Sequence, residues 1–325
     1  MTNAIEASGL VKTYGEEVRA LDGLSFSVSE GGVFGLLGPN GAGKSTTVKI
    51  LTTLSKADEG EATVAGLDVN RRAGDVRHAI GVVTQKSGLD LAATGRENAR
   101  LQGQIYGLRG RELETRIDEL LAQFGLADAG DRFARTYSGG MQRRLDIALA
   151  LIHRPHVLFM DEPTTGLDPE VRADMWQEIS RLAREEGLTV LLTTHYMEEA
   201  DVLASRLAIL DRGKLVAEGS PDELKGELQG DAVHVELGES ETNGRVHRAL
   251  EQVPGISDTQ VDGRQLHARA ENGARAVPAV LQALETNGIA VAAVTVARPS
   301  LEDVYLRYAG RTFSSAEAAE KEDGR

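Results

Sequence analysis

Cysteine is absent from the 325 residues. That excludes every disulfide and every thiolate metal site, and it fits a reducing compartment. Aromatic residues are scarce, at 4%, so the core has to be built from Leu, Val, Ile and Ala. No run of about 18 or more apolar residues occurs, so no segment is expected to cross a bilayer by itself. The N-terminus, Met1-Thr2-Asn3-Ala4-Ile5-Glu6, has no basic region followed by an apolar stretch, and no secretory signal is expected there. Positive charge is outnumbered, with 36 Lys and Arg against 50 Asp and Glu and a net charge of -14. That balance opposes sequence-independent binding to nucleic acid and polybasic attachment to anionic lipid. Any association with a membrane is therefore expected to run through a protein partner.

What is present is an ordinary globular composition, 41% hydrophobic and 26% charged, over a length that suggests about two domains. Residues 1–228 read as one α/β domain. Val33-Phe34-Gly35-Leu36-Leu37, Val157-Leu158-Phe159-Met160 and Thr189-Val190-Leu191-Leu192 are short apolar runs, which suggest strands buried in a largely parallel sheet. Helical stretches lie between them. Leu145, Ala148, Leu149 and Ile152 share one face, as do Val171, Met175, Ile179 and Leu182. Residues 231–311 read as a small α+β domain. Val233 to Leu237 alternates like a half-buried strand, Arg245 to Val253 reads as a helix, and Asp262-Gly263-Arg264 is a hairpin turn. A second helix carries Val277, Val280, Leu281 and Leu284, and a last strand runs from Ile289 to Val296. The order βαββαβ suggests a ferredoxin-like sandwich. From residue 312 the chain is small and charged, and a disordered tail is expected.

Gly38-Pro39-Asn40-Gly41-Ala42-Gly43-Lys44-Ser45, followed by Thr46, fits the phosphate-loop pattern G-x-x-x-x-G-K-[ST]. Glycines let successive backbone N–H groups point inward at phosphate oxygens, and the following helix adds its positive end. Lys44 is expected on the terminal phosphates and Ser45 on Mg²⁺. The loop follows an apolar run and precedes Thr47-Val48-Lys49-Ile50-Leu51, which is the context the motif needs. A second element is the strand Val157 to Met160 ending in Asp161 and Glu162. An Asp there helps to hold Mg²⁺ in phosphate-loop enzymes, and Glu162 is placed to orient and deprotonate a water. Taken alone, a strand ending in two solvated acids is common; the phosphate loop gives the pair its meaning. Ser138-Gly139-Gly140 opens a helix and offers a further anion site, although alone it reads as no more than an N-cap.

At this point the sequence resembles the ABC ATPase family. The resemblance rests on Gly38 to Ser45, on Gln85 after Val82-Val83, and on Ser138-Gly139-Gly140. Val157 to Glu162, Gly166-Leu167-Asp168 and His195 in Leu192-Thr193-Thr194-His195 complete it, all in family order. It covers roughly residues 5 to 225. It implies a P-loop NTPase fold and a head-to-tail homodimer that encloses two ATP molecules. Within that dimer it implies that Tyr14 stacks on adenine and that Gly38 to Thr46 bind phosphates. It further implies that Ser45, Gln85 and Asp161 surround Mg²⁺, that Glu162 is the general base, and that His195 touches the γ-phosphate. Asp168 is expected to bridge the subunits, and Ser138 and Gly140 to reach the γ-phosphate held by the other copy. Met141 stands where the family commonly has Gln, so a polar contact near the ribose is expected to be lost while activity survives.

The finer resemblance is to ATP-binding subunits of drug exporters of the daunorubicin-resistance type. It rests on Thr193 to Asp201 and on Pro299-Ser300-Leu301-Glu302-Asp303-Val304-Tyr305 followed by Gly310-Arg311. It implies a separate integral-membrane permease and a place on the cytoplasmic face of the cell membrane. It also implies a docking surface around Thr94 to Leu101 and Ile105 to Leu108. The alternative reading is a soluble ABC ATPase that remodels a ribosome or nucleic-acid complex. One phosphate loop, no heptad array and an acidic balance disfavour it, and no nucleic-acid partner is expected. A non-hydrolysing switch is disfavoured because Glu162 and His195 are both present. The other histidines (His78, His153, His156, His234, His247, His267) have no metal-ligand spacing along the chain and read as ordinary surface or core residues.

Overall fold

The computed structural model describes residues 2–15, 18–251 and 253–323. The chain divides into two units, Met1–Glu218 and Gly219–Arg325.

In the first unit, β1 (Asn3–Tyr14) and β2 (Val18–Ser29) pair antiparallel. Strand β3 (Gly32–Leu37) leads into α1 (Lys44–Leu51), followed by β4 (Glu59–Val64), β5 (Leu67–Asp68), α2 (Ala73–Ala79) and β6 (Ile80–Val83). Three helices come next, α3 (Gly95–Ile105), α4 (Gly110–Gln123) and α5 (Gly139–Ala150). The unit continues with β7 (Val157–Asp161), α6 (Pro169–Glu185), β8 (Thr189–Thr194), α7 (Met197–Leu203), β9 (Arg206–Asp211) and β10 (Lys214–Gly219). Two sheets result, a small one ordered β2-β1-β4-β5 and a larger one ordered β10-β9-β3-β8-β7-β6. The pairings among β9, β3, β8, β7 and β6 are parallel.

The apolar runs expected to form buried strands are β3, β7 and β8. Each is buried along nearly its whole length, and apolar through its middle, because both of its faces are covered. Leu158 and Met160 of β7 enter a core shared with α4, α5 and α6, whereas Val157 and Phe159 enter one shared with the small sheet and α1. A parallel sheet leaves the C-terminal ends of its strands on one edge, and there β3, β7 and β8 deliver the phosphate loop, Asp161 and Thr194.

The second unit contains α8 (Pro221–Gly226), β11 (Asp231–Leu237), α9 (Asn243–Leu250), β12 (Ile256–Asp262), β13 (Gln265–Ala270) and α10 (Gly273–Thr286). It ends with β14 (Val291–Ala297), α11 (Leu301–Ala309) and α12 (Phe313–Asp323). The sheet order β12-β13-β11-β14 with antiparallel neighbours is the ferredoxin-like arrangement expected from the pattern. Val233, Val235, Leu237, Leu266 and Ala268 point to one face, where Val246, Leu250, Val280 and Leu284 of α9 and α10 close the core.

Two features differ from the sequence reading. The division falls after Glu218, upstream of the boundary expected after 228, because α8 packs on α11 and Tyr308 donates to Glu227 at 2.6 Å. The segment expected to be a disordered tail forms α12 over Phe313–Asp323, while residues 324 and 325 lie outside the described residues. Its polar composition hides two apolar anchors. Phe313 is buried edge-on against the fully buried Tyr305, and Ala316 is completely buried. Thr312 fixes the start of the helix by bonding Asp262 of β12.

Candidate functional site

The loop after β3 has the shape its glycines permit. Gly41 and Gly43 take φ of 71° and 104°, a region that side chains avoid. A Cβ on Gly43 would lie 2.6 Å from the Ala20 carbonyl oxygen, and one on Gly38 would lie 2.5 Å from that of Leu210. Gly38 N–H donates to the Thr194 carbonyl at 3.3 Å, which ties the loop to the end of β8. Pro39, Ala42 and Lys44 are buried, Asn40 and Gly41 are exposed, and Ser45 and Thr46 are half-buried at the start of α1. Lys44 is 4% exposed, and its ammonium donates to the carbonyls of Gly38 and Pro39 at 2.7 and 2.9 Å. The loop therefore folds around its own lysine and presets that charge.

Glu162 is the hub. It follows β7 in a left-handed conformation, φ 47°, uncommon for a residue with a side chain. Its N–H donates to Thr193 Oγ1 at 3.0 Å, which holds the turn on β8. Its carboxylate is 11% exposed and meets groups from four segments. Lys44 Nζ lies 3.5 Å from Oε1, and His195 Nδ1 lies 3.3 Å from the same oxygen without the alignment of a hydrogen bond. Gln85 Nε2 and Thr165 Oγ1 donate to Oε2 at 3.5 and 3.3 Å. The neighbouring His195, and then Lys44, hold the Glu162 carboxyl below its ordinary value against the opposing effect of burial. A carboxylate that stays charged while facing the loop lysine is suited to orient a water.

Ser45 Oγ donates to Asp161 Oδ1 at 3.2 Å, and Thr193 Oγ1 donates to the same oxygen at 2.6 Å. Ser45 and Asp161 thus come together. The hydrogen bond of Gln85 goes to Glu162, and none among the described residues links it to Asp161. Gln85 is exposed on the segment after β6.

The other expected residues stand apart from this cluster. Tyr14 ends β1 with its ring 40% exposed, as a stacking platform must be, and Lys12 lies over the ring at 5.6 Å. Ser138 caps α5, its Oγ accepting from the Met141 N–H at 3.2 Å. Gly140 leaves no room for a side chain, because a Cβ would lie 2.7 Å from Val171 Cγ1 of α6. Gly139 faces Leu167, and Met141 packs on the helical core instead of facing water. Asp168 is exposed at the start of α6 and makes no side-chain cap. Among the described residues no hydrogen bond or ion pair joins Ser138, Gly139, Gly140 or Asp168 to the phosphate loop.

Four contributors escaped the sequence reading. Thr193 and Thr165 bond the two acids directly. Glu199 on α7 is fully buried and accepts from Thr164 at 2.7 Å and Trp176 at 2.9 Å, bracing the turn after Glu162. Arg143 on α5 is 7% exposed and donates to the carbonyls of Thr84 and Pro163, both at 2.7 Å. It thereby ties the Ser-Gly-Gly helix to the residue before Gln85 and the residue after Glu162. Its position five residues after Ser138 was the available signal, but charge on a helix usually means solvent.

Comparison with known proteins agrees with this geometry. Residues 21–165 match the ABC transporter family model, and residues 219–309 match the C-terminal domain of ATP-binding proteins of the DrrA1-3-like type. The chain is 46% identical to the daunorubicin resistance ATP-binding protein DrrA2 of Streptomyces coeruleorubidus, over 98% of each chain. It is 36% identical to the linearmycin resistance ATP-binding protein LnrL of Bacillus subtilis (strain 168), over 95% of this chain and 99% of that one. A dimeric post-hydrolysis ATP-binding cassette bound to ADP and phosphate superposes with a TM-score of 0.60 at 30% identity, covering 66% of this chain and 98% of that one. No described helix is long and apolar enough to cross a membrane. The chain belongs to the ABC transporter ATP-binding proteins, an ATPase of the branch that carries the DrrA-like C-terminal domain.

Proposed function

We propose that this chain is the ATP-driven motor of an exporter for a drug-like or hydrophobic compound. It works as a homodimer on the cytoplasmic face of the membrane, beneath a separate permease. The observation that carries the reading is the convergence of Lys44, His195, Gln85 and Thr165 on the Glu162 carboxylate, beside the Ser45–Asp161 pair. The oxygen donors Ser45 and Asp161 fit Mg²⁺, with Gln85 able to approach once nucleotide is present. Bound there, the ion would neutralise charge on the β- and γ-phosphates of ATP. The loop amides and Lys44 hold the phosphates. Glu162 takes a proton from a water aligned behind the γ-phosphorus, and His195 holds Glu162 and that water in line. The Ser138–Gly140 helix tip stays free within one chain and is open to the γ-phosphate of a second copy, with Asp168 exposed next to it. Hydrolysis would then require closure of the dimer.

The docking reading is supported by α3. It begins with a capping box between Thr94 and Glu97, yet leaves Leu101 and Ile105 exposed one turn apart. Such apolar side chains on a polar helix fit a protein partner. Resistance to two different compounds in the relatives' names fits a cargo chosen by the permease rather than by this chain.

Co-expression with the membrane subunit and purification from solubilised membranes tests the reading. A polytopic partner is expected to co-purify, and recovery with ribosomes instead would refute it. Gln85 links the exposed segment to Glu162, so Gln85→Ala is expected to lower transport per ATP in reconstituted vesicles by several-fold with hydrolysis partly retained. An unchanged ratio would remove its coupling role.

A further inference from the structure

The polar face of the C-terminal sheet carries an arrangement that the ATPase does not use. His234 on β11 lies directly across from His267 on β13 in the antiparallel register, and both alternate with core residues, so both leave the apolar side. Their rings stand edge to face with centroids 4.9 Å apart. Asp303, in the first turn of α11, comes down on them from the covering layer, with Oδ1 3.3 Å from His234 Nε2. One ligand atom from each of the three lies within 4.8 Å of the others.

We infer that His234, His267 and Asp303 form a site for a divalent transition-metal ion of the Zn²⁺ class, which clamps α11 onto β11 and β13. Two imidazoles and one carboxylate are a ligand set that Zn²⁺ accepts, with the fourth position left to water. Two observations support it independently. Both ring nitrogens of His267 are buried and lack a hydrogen-bond partner, which is unfavourable for a neutral imidazole unless another group takes the lone pair. The second oxygen of Asp303 is already held by the Ser300 N–H and hydroxyl at 2.8 and 2.7 Å, so a second shell aims Oδ1 at the histidines.

Bonds of about 2.1 Å place tetrahedral ligand atoms roughly 3.4 Å apart, so a pair as wide as 4.8 Å must close by about 1.4 Å through side-chain rotation. Arg269, two residues along the same face and buried, feels the Asp303 charge and makes no hydrogen bond through its guanidinium. Its positive charge opposes a second cation, so affinity is expected below that of four-ligand structural zinc sites.

The test uses the full-length protein without nucleotide, equilibrated with ZnCl₂ at neutral pH. Wild type is expected to retain stoichiometric Zn²⁺. His267→Gln and Asp303→Asn, which conserve size, are each expected to weaken retention at least about 100-fold. Failure of wild type to retain Zn²⁺, or retention by both variants equal to that of wild type, would overturn the site. Should the variants not fold, CoCl₂ titration of the unaltered chain decides. Visible absorption from imidazole-bound Co²⁺ that Zn²⁺ displaces supports the site, and its absence refutes it.

Discussion

A Glu162→Gln variant is expected to bind ATP and fail to turn it over. Glutamine has the size of glutamate and can still accept from Thr165 and Gln85, so the turn after β7 should survive. What it loses is basicity. In wild type the carboxylate is kept charged, below the ordinary glutamate value of 4.5, by His195 and Lys44. A carboxylate depressed in this way stays ionised throughout the neutral range, so the variant removes a base that is fully present at working pH. A positioned general base contributes about 10²- to 10⁴-fold, and turnover should fall by that factor. Nucleotide affinity should hold, because Lys44 keeps its contacts to Gly38 and Pro39. With hydrolysis blocked, the closed dimer should accumulate on adding ATP and be visible by size-exclusion chromatography. Turnover at the wild-type rate would remove Glu162 from the role of base.

Arg143→Ala is expected to lower both stability and kcat while leaving ATP affinity nearly intact. The guanidinium is buried, bonds two carbonyls at 2.7 Å and stands 4.0 Å from Asp146. Hydrogen bonds from a charged donor are worth about 1.5–3 kcal/mol each, and truncation leaves their acceptors unpaired. A loss of about 3 kcal/mol follows, which lowers Tm by roughly 6–12 °C for a unit of this size. Function should suffer because the two carbonyls belong to Thr84 and Pro163, next to Gln85 and Glu162. Lysine carries one ammonium and cannot reproduce the fork, so Arg143→Lys should recover only part of either loss. Thermal denaturation and steady-state kinetics check this together. An unchanged Tm with an unchanged kcat would show that the fork is dispensable.

Much of this molecule is legible from residue order because its determinants are local. The phosphate loop is a contiguous stretch whose glycines set its own backbone, and β3, β7 and β8 announce themselves as apolar runs. The βαββαβ order of the second unit follows from alternation and one hairpin turn. Where composition misled, at α12, two buried side chains decided the outcome against a polar background.

By itself the sequence determined the chemistry. It held a phosphate loop with its lysine and serine, a strand ending in two acids, and the family motifs in order. Tertiary structure alone decided which distant groups surround Glu162, because Lys44, Gln85 and His195 reach it from three segments that only the parallel sheet gathers at one edge. It also decided that Arg143 points inward, and that His234 and His267 face each other below Asp303. Long-range contacts of this kind are set by strand register and packing, and neither has a signature within a short window of residues.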